Sequence, residues 1–174
     1  MKKIIFFIAQ KNFRDEEYFI PKNIFEKNQF RTETASISRG MAIGSEGGDA
    51  VISLSLDDVN VDDFDAFVFV GGGGALIYLD NEKVYSIIKE ARTKKKVIGA
   101  ICIAPVILAK AGILEGVRAT VWSSSMEKRP IKALKENKAI YVDEGVVVDK
   151  SIITAKGPSF SNDFAKKIID ILVN

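Results

Sequence analysis

Residues 97–112 read Val97-Ile98-Gly99-Ala100-Ile101-Cys102-Ile103-Ala104-Pro105-Val106-Ile107-Leu108-Ala109-Lys110-Ala111-Gly112. Val97 to Ile101 is a short apolar run, which suits a strand covered on both faces. Ala104 to Ala111 follows as a helix, with Gly112 placed to cap its C-terminus. Cys102 falls on the corner between them. This spacing predicts a nucleophile elbow, a sharp strand-turn-helix corner with the nucleophile at its tip. Ala100 and Ala104 supply the small residues such a crowded corner needs two positions either side. Pro105 is tolerated because a first-turn N–H has no intrahelical partner. A thiol there faces free N–H groups and the positive end of a helix dipole, which favours the thiolate. The alternative is a cysteine acting as a small buried hydrophobe.

The flanking sequence gives the layers around this corner. Ile4 to Ile8, Ala66 to Val70, Ala119 to Trp122 and Ile152 to Ala155 are further short apolar runs, and all are expected as strands. Val84, Ile87, Ile88 and Ala91 repeat at helical spacing, as do Phe164, Ile168, Ile171 and Leu172, with Ser161 placed to cap the second of these helices. Strands alternating with helices predict an α/β layered domain with a mainly parallel sheet. Gly44, Gly47 and Gly48 suggest a hairpin or ribbon between Thr34–Ile37 and Val51–Leu56. A second hairpin is expected across Ile140–Val142, Val146–Val148 and Ile152–Thr154. Pro21 interrupts the pattern from Asn12 to Asn28: either a helix starts near Ile20, or a longer helix bends and frees the Glu17 carbonyl. No linker, repeat or low-complexity tract divides residues 1–174, which are expected to form one domain.

Two further signals could carry chemistry. Gly71-Gly72-Gly73-Gly74 directly follows the strand at Phe67–Val70, where glycines let backbone N–H groups approach a ligand and form an anion or oxyanion pocket. It is neither a Walker loop nor a dinucleotide fingerprint, since no Gly-Lys-Ser/Thr follows and the strand is not the first. Asp15, Glu16 and Glu17 form an acidic cluster. For Asp15 and Glu16 ordinary first-turn helix charge is a sufficient explanation. Glu17 matters only if the fold brings it to Cys102, where it would oppose the thiolate when ionised and donate a hydrogen bond to sulfur when protonated.

Composition narrows the chemistry. The 174 residues contain 25 Lys plus Arg against 23 Asp plus Glu, a net charge of +2 that gives no electrostatic footprint for nucleic acid. One Cys excludes an internal disulfide and a cysteine-rich zinc site. The absence of His removes every Ser-His-Asp or Cys-His arrangement within the chain and every His metal site. No metal and no cofactor is expected. The N-terminal apolar run is short for a signal peptide and reads as a buried first strand. No stretch has the length of a transmembrane helix. The expected compartment is the cytoplasm, where a lone thiol stays reduced.

Taken in order, these pieces resemble the DJ-1/ThiJ/PfpI family, a branch of the class I glutamine-amidotransferase-like superfamily, over essentially the whole chain. Glu17 stands four residues before Pro21; Gly71-Gly72 ends a central strand; Ala100, Cys102 and Pro105 form the Ala-x-Cys-x-x-Pro elbow; Thr154, Lys156, Gly157 and Pro158 precede the last helix. The resemblance implies a flavodoxin-like three-layer sandwich and a homodimer. It also implies a Cys102 thiol hydrogen-bonded to Glu17, and an oxyanion pocket from the N–H groups of Gly72 and Ile103, with Gly71 and Gly73 beside it. Trp122 and Pro158 are expected near the pocket. Members are linked to peptidase, glyoxalase III, deglycase, chaperone and oxidative-stress roles. Peptidase-like members place His after the nucleophile and others place it on a neighbouring strand; here Ile103 and Trp122 stand at or near those places. A peptidase is therefore disfavoured. The expected partner is a small carbonyl substrate, with turnover depending on Cys102 and Glu17, or an oxidant that takes Cys102 to the sulfinate without turnover.

Overall fold

The computed structural model describes residues 1–174. In chain order the elements are β1 (Lys3–Phe7), β2 (Lys11–Phe13), α1 (Asp15–Lys27), β3 (Arg31–Ser36), β4 (Gly40–Gly44), β5 (Asp49–Ile52), β6 (Leu54–Ser55), β7 (Ala66–Phe69), α2 (Ala75–Tyr78), α3 (Glu82–Thr93), β8 (Val97–Ile101), α4 (Pro105–Lys110), β9 (Arg118–Ala119), α5 (Arg129–Glu136), β10 (Ile140–Tyr141), β11 (Val146–Asp149), β12 (Ile152–Ala155) and α6 (Ser161–Val173). Seven strands form the central sheet in the order β11-β12-β8-β7-β1-β3-β6. All neighbours are parallel except β11, which pairs antiparallel with β12 at one edge.

β7 and β8 are buried along their whole length and β1 nearly so, which is why these strands are almost wholly apolar, whereas β3 begins with the partly exposed Arg31, Thr32 and Glu33. Along β1, Ile5 and Phe7 point into one core with Val84, Ile88, Ile107 and Leu134 of α3, α4 and α5. Ile4 and Phe6 point into the other, with Tyr18 and Phe25 of α1 and Phe164 and Ile168 of α6. This alternation with period two makes the three layers of the sandwich. Gly99, on β8, leaves room for the α6 layer: a Cβ there would lie 2.8 Å from Phe164 and Ile168. No helix is long and apolar enough to cross a membrane.

Several local expectations are corrected. Ala119 to Trp122 is not a strand of the central sheet. Only Arg118–Ala119 is extended, and it pairs in parallel with Ile140–Tyr141 in a separate two-stranded ribbon. That pairing also takes β10 out of the second hairpin, which consists of β11 and β12 alone. The first hairpin has different arms from those expected. Gly40–Gly44 pairs with Asp49–Ile52, while β3 belongs to the central sheet, so the glycines form the turn and the end of an arm. The longer-helix reading of α1 holds, because Pro21 lies inside a helix that runs from Asp15 to Lys27. Ser161 does not cap α6: it is the helix's first residue, and its Oγ is buried without a hydrogen-bond partner.

Candidate active site at the elbow

The site lies at the carboxyl edge of the parallel strands, where an open α/β sheet leaves a crevice. Five chain segments meet there: the start of α1 with Glu17, the glycine loop after β7, the elbow after β8, the segment after β9 with Trp122 and the end of β12 with the turn that follows it. Hydrogen bonds clamp them together. The Arg14 N–H donates to the Gly71 carbonyl at 3.1 Å, the Cys102 N–H to the Ala155 carbonyl at 2.9 Å, and the Trp122 N–H to the Cys102 carbonyl at 2.8 Å. The elbow is real: Cys102 has φ of 64°, a left-handed conformation unusual for a residue with a Cβ. Ala100 and Ala104 flank it, fully buried.

Glu17 is completely buried, and its Oε2 accepts the Gly71 N–H at 3.0 Å. Its Oε1 has no hydrogen-bond partner. Burial pushes the Glu17 carboxyl up to about 7, against the opposing pull of the adjacent Cys102 thiol and the Gly71 N–H. Gly71 is small because it must be. A Cβ there would lie 2.6 Å from the Cys102 Cβ, 2.7 Å from Glu17 Oε2 and 2.9 Å from the Ile101 carbonyl. Gly72 adopts φ of 102°, and a Cβ would meet the backbone of residues 12–14.

The half-buried Cys102 thiol is pushed up to about 12, first by burial and then by the Glu17 charge. The backbone N–H groups of Gly72 and Ile103 act in the opposite sense, favouring negative charge on the sulfur. Neither N–H donates to a backbone carbonyl. The helix after the elbow has only six residues, and burial and the Glu17 charge act against the thiolate that its N-terminus favours.

These groups open into a cavity of about 520 Å³, which Gly73, Trp122 and Pro158 also line. Every residue expected at the site thus lies in or against one space. Gly73 is not sterically required, as a Cβ there would meet nothing. Sequence reasoning missed Arg14, Ser45 and Leu76, which line the same cavity. Arg14 precedes the acidic cluster, and its guanidinium pairs with Glu16 and Glu46 at 3.4 and 3.3 Å. Ser45 is held at the site by its own N–H, which donates to the Phe13 carbonyl at 2.8 Å, and by Asp15, which accepts the N–H groups of Glu46 and Gly48 at 3.1 and 2.7 Å. Asp15 is thus more than a first-turn charge. Nothing in the spacing of residues 44–48 signals that contact.

A doubly covered parallel sheet with a cysteine elbow at its carboxyl edge defines the class: a flavodoxin-like α/β protein built around a potential nucleophile. Comparison with known proteins agrees. Residues 2–171 match the model of the DJ-1/PfpI family, and the chain belongs to that family. It is 42% identical to an uncharacterised protein of Methanocaldococcus jannaschii, over 96% of this chain and 80% of that one. It is 29% identical to the protein named deglycase PfpI from Pyrococcus furiosus, over 97% of this chain and 98% of that one. Among solved structures, a ThiJ/PfpI domain protein from Brachyspira murdochii superposes with a TM-score of 0.91 at 34% identity, covering 98% of this chain and 96% of that one.

Proposed function

We propose that the protein carries out cysteine-dependent chemistry of the glyoxalase III or deglycase kind on small reactive carbonyl compounds. The observation that carries this reading is the apposition of a buried carboxyl, with one oxygen unpartnered, to an elbow thiol that faces an open cavity. The deglycase name of the Pyrococcus relative supports the substrate class. Above pH 7 the resting pair is a Glu17 carboxylate beside a neutral thiol. Glu17 then acts as general base, taking the thiol proton as sulfur attacks the aldehyde carbon. The S–C bond forms, and the carbonyl π pair moves onto oxygen, where the N–H groups of Gly72 and Ile103 stabilise it. Glu17 passes the thiol's proton to that oxygen, which gives a hemithioacetal and restores the carboxylate.

With a 2-oxoaldehyde, Glu17 next moves the C1 proton to C2, which converts the hemithioacetal into a thioester of the 2-hydroxy acid. Water cleaves the thioester, restores the thiol and releases the acid. Carbon 1 is oxidised, carbon 2 is reduced and one water is consumed, so no external oxidant or reductant is needed. A peptidase is not part of this reading, because the chain contains no His to complete a Cys-His pair. The reading includes a homodimer, which sedimentation of the purified protein would test.

The test is the alkylation rate of Cys102 against pH, followed by mass spectrometry, together with lactate formation from methylglyoxal. In the wild type the alkylation rate rises through about pH 7 as Glu17 loses its proton. Glu17→Gln lacks that rise and loses about 10²-fold or more in turnover. Cys102→Ala forms no lactate. A thiol that reacts only once the protein unfolds would sink the reading. The unpartnered Glu17 Oε1 also favours a second reading, as a sensor, because a protonated Glu17 could hold a sulfinate oxygen. That alternative predicts no lactate and a gain of two oxygens on Cys102 in mild peroxide.

A further inference from the structure

The Cys102 cavity has an annex. This second space, of about 320 Å³, is walled by Leu76, Ile103, Val106, Trp122, Pro130 and Ala133. Leu76, Ile103 and Trp122 line both spaces, so the two adjoin at those side chains. Arg14, Glu17 and Ser45 line only the first. The two charged residues of the annex, Glu127 and Arg129, are paired with each other, and neither offers a free charge to a ligand. The combined site therefore has a polar reacting end and an apolar end.

Trp122, the only tryptophan of the chain, is 37% exposed, and Leu76 is 38% exposed. Apolar surface left in water at a cavity wall gains when an apolar group covers it. The Trp122 backbone is also tied to the elbow, because its main-chain N–H donates to the carbonyl of Cys102 itself at 2.8 Å. Ile103, the residue next to the nucleophile, lines the annex as well, which places that space beside the elbow. A methyl group would leave most of that space unfilled.

We infer that the annex takes the apolar substituent of the substrate, so that the preferred carbonyl compounds are aryl- or branched-alkyl glyoxals rather than methylglyoxal. This inference rests on the carbonyl chemistry proposed above. Trp122 and Ala133 are its specificity-determining residues.

The experiment compares initial rates on phenylglyoxal and methylglyoxal, read as mandelate and lactate, for the wild type, Trp122→Ala and Ala133→Phe. The wild type prefers phenylglyoxal by about tenfold or more in kcat/KM, the scale on which an apolar pocket discriminates. Ala133→Phe fills the annex from α5 and lowers that ratio by about fivefold or more, through KM for phenylglyoxal. Trp122→Ala removes a wall and lowers the ratio as well. Thermal melting reports whether each variant folds, and Ala133→Leu replaces the larger substitution if it does not. A wild type that prefers methylglyoxal, or a ratio unmoved by variants that fold, overturns the annex while leaving the carbonyl chemistry in place. No turnover of either compound overturns both.

Discussion

At the scale of the residue, the site is built on two groups held away from their ordinary states. Cys102 occupies a left-handed backbone conformation, and its thiol is harder to ionise than a free one. The backbone cost can be measured apart from the chemistry. Cys102→Gly and Cys102→Ala both remove the thiol, but only glycine is at ease at this φ. Cys102→Gly is expected to be the more stable of the two by about 1 kcal/mol in urea denaturation. Equal stabilities, or a more stable alanine variant, would show that the elbow is not strained. Cys102 as a candidate was legible from the elbow spacing, a local pattern, whereas Glu17 stood out only through the family resemblance. Their mutual effect on ionisation was not legible. It depends on burial and on a contact between residues 85 positions apart.

At the scale of the element, the sequence reported β1, β7, β8 and β12 best, because burial on both faces leaves them almost wholly apolar, and it missed the polar β3. It reported the ribbons least well. Two-residue pairings such as β9 with β10 carry no periodicity. The run Ala119 to Trp122 resembles a core strand because Thr120 and Val121 are fully buried, yet the Thr120 N–H donates to the side chain of Thr154 on β12 at 2.9 Å rather than to a strand ladder. Ser161 shows the same limit at a helix end. Its sequence position suits a cap, yet its hydroxyl is buried and unpaired. A cap replaced by alanine costs about 1 kcal/mol, whereas removing an unsatisfied buried hydroxyl costs nothing or stabilises. Ser161→Ala is therefore expected to unfold at a denaturant concentration no lower than the wild type. A loss of about 1 kcal/mol would restore the capping role.

At the scale of the whole molecule, the absence of His makes the pH dependence of stability unusually readable. Apart from the N-terminal amine, ordinary side chains leave the window between about pH 5 and 7 nearly silent. Glu17 titrates there, because folding raises its carboxyl from 4.5 to about 7. A raised carboxyl pKa means that the native state binds the proton more tightly than the unfolded chain. The stability this gives is complete below the unfolded value and is lost as pH climbs through about 7. The wild type should thus lose up to about 3 kcal/mol between pH 4.5 and 7.5, by the linkage of a shift this size. Glu17→Gln should show a flat profile over the same range. Urea denaturation at half-unit pH steps decides it, and a flat wild-type profile would place the Glu17 carboxyl near its ordinary value.

The sequence by itself determined the layered α/β class, four of the central strands, the elbow and Cys102 at its tip, with Glu17 singled out by the family resemblance. The first four are written in short-range order: apolar runs along a strand, spacing along a helix, small residues about a corner. The tertiary structure alone decided that Glu17 lies against Cys102, that the N–H groups of Gly72 and Ile103 are left free beside the sulfur, and that Arg14, Ser45 and Leu76 join the cavity wall. It also decided that Trp122 turns an apolar face to a second space. Those relations join residues from connections after different strands. They are set by how far each parallel strand carries its loop toward the shared edge of the sheet, a distance that no local pattern encodes.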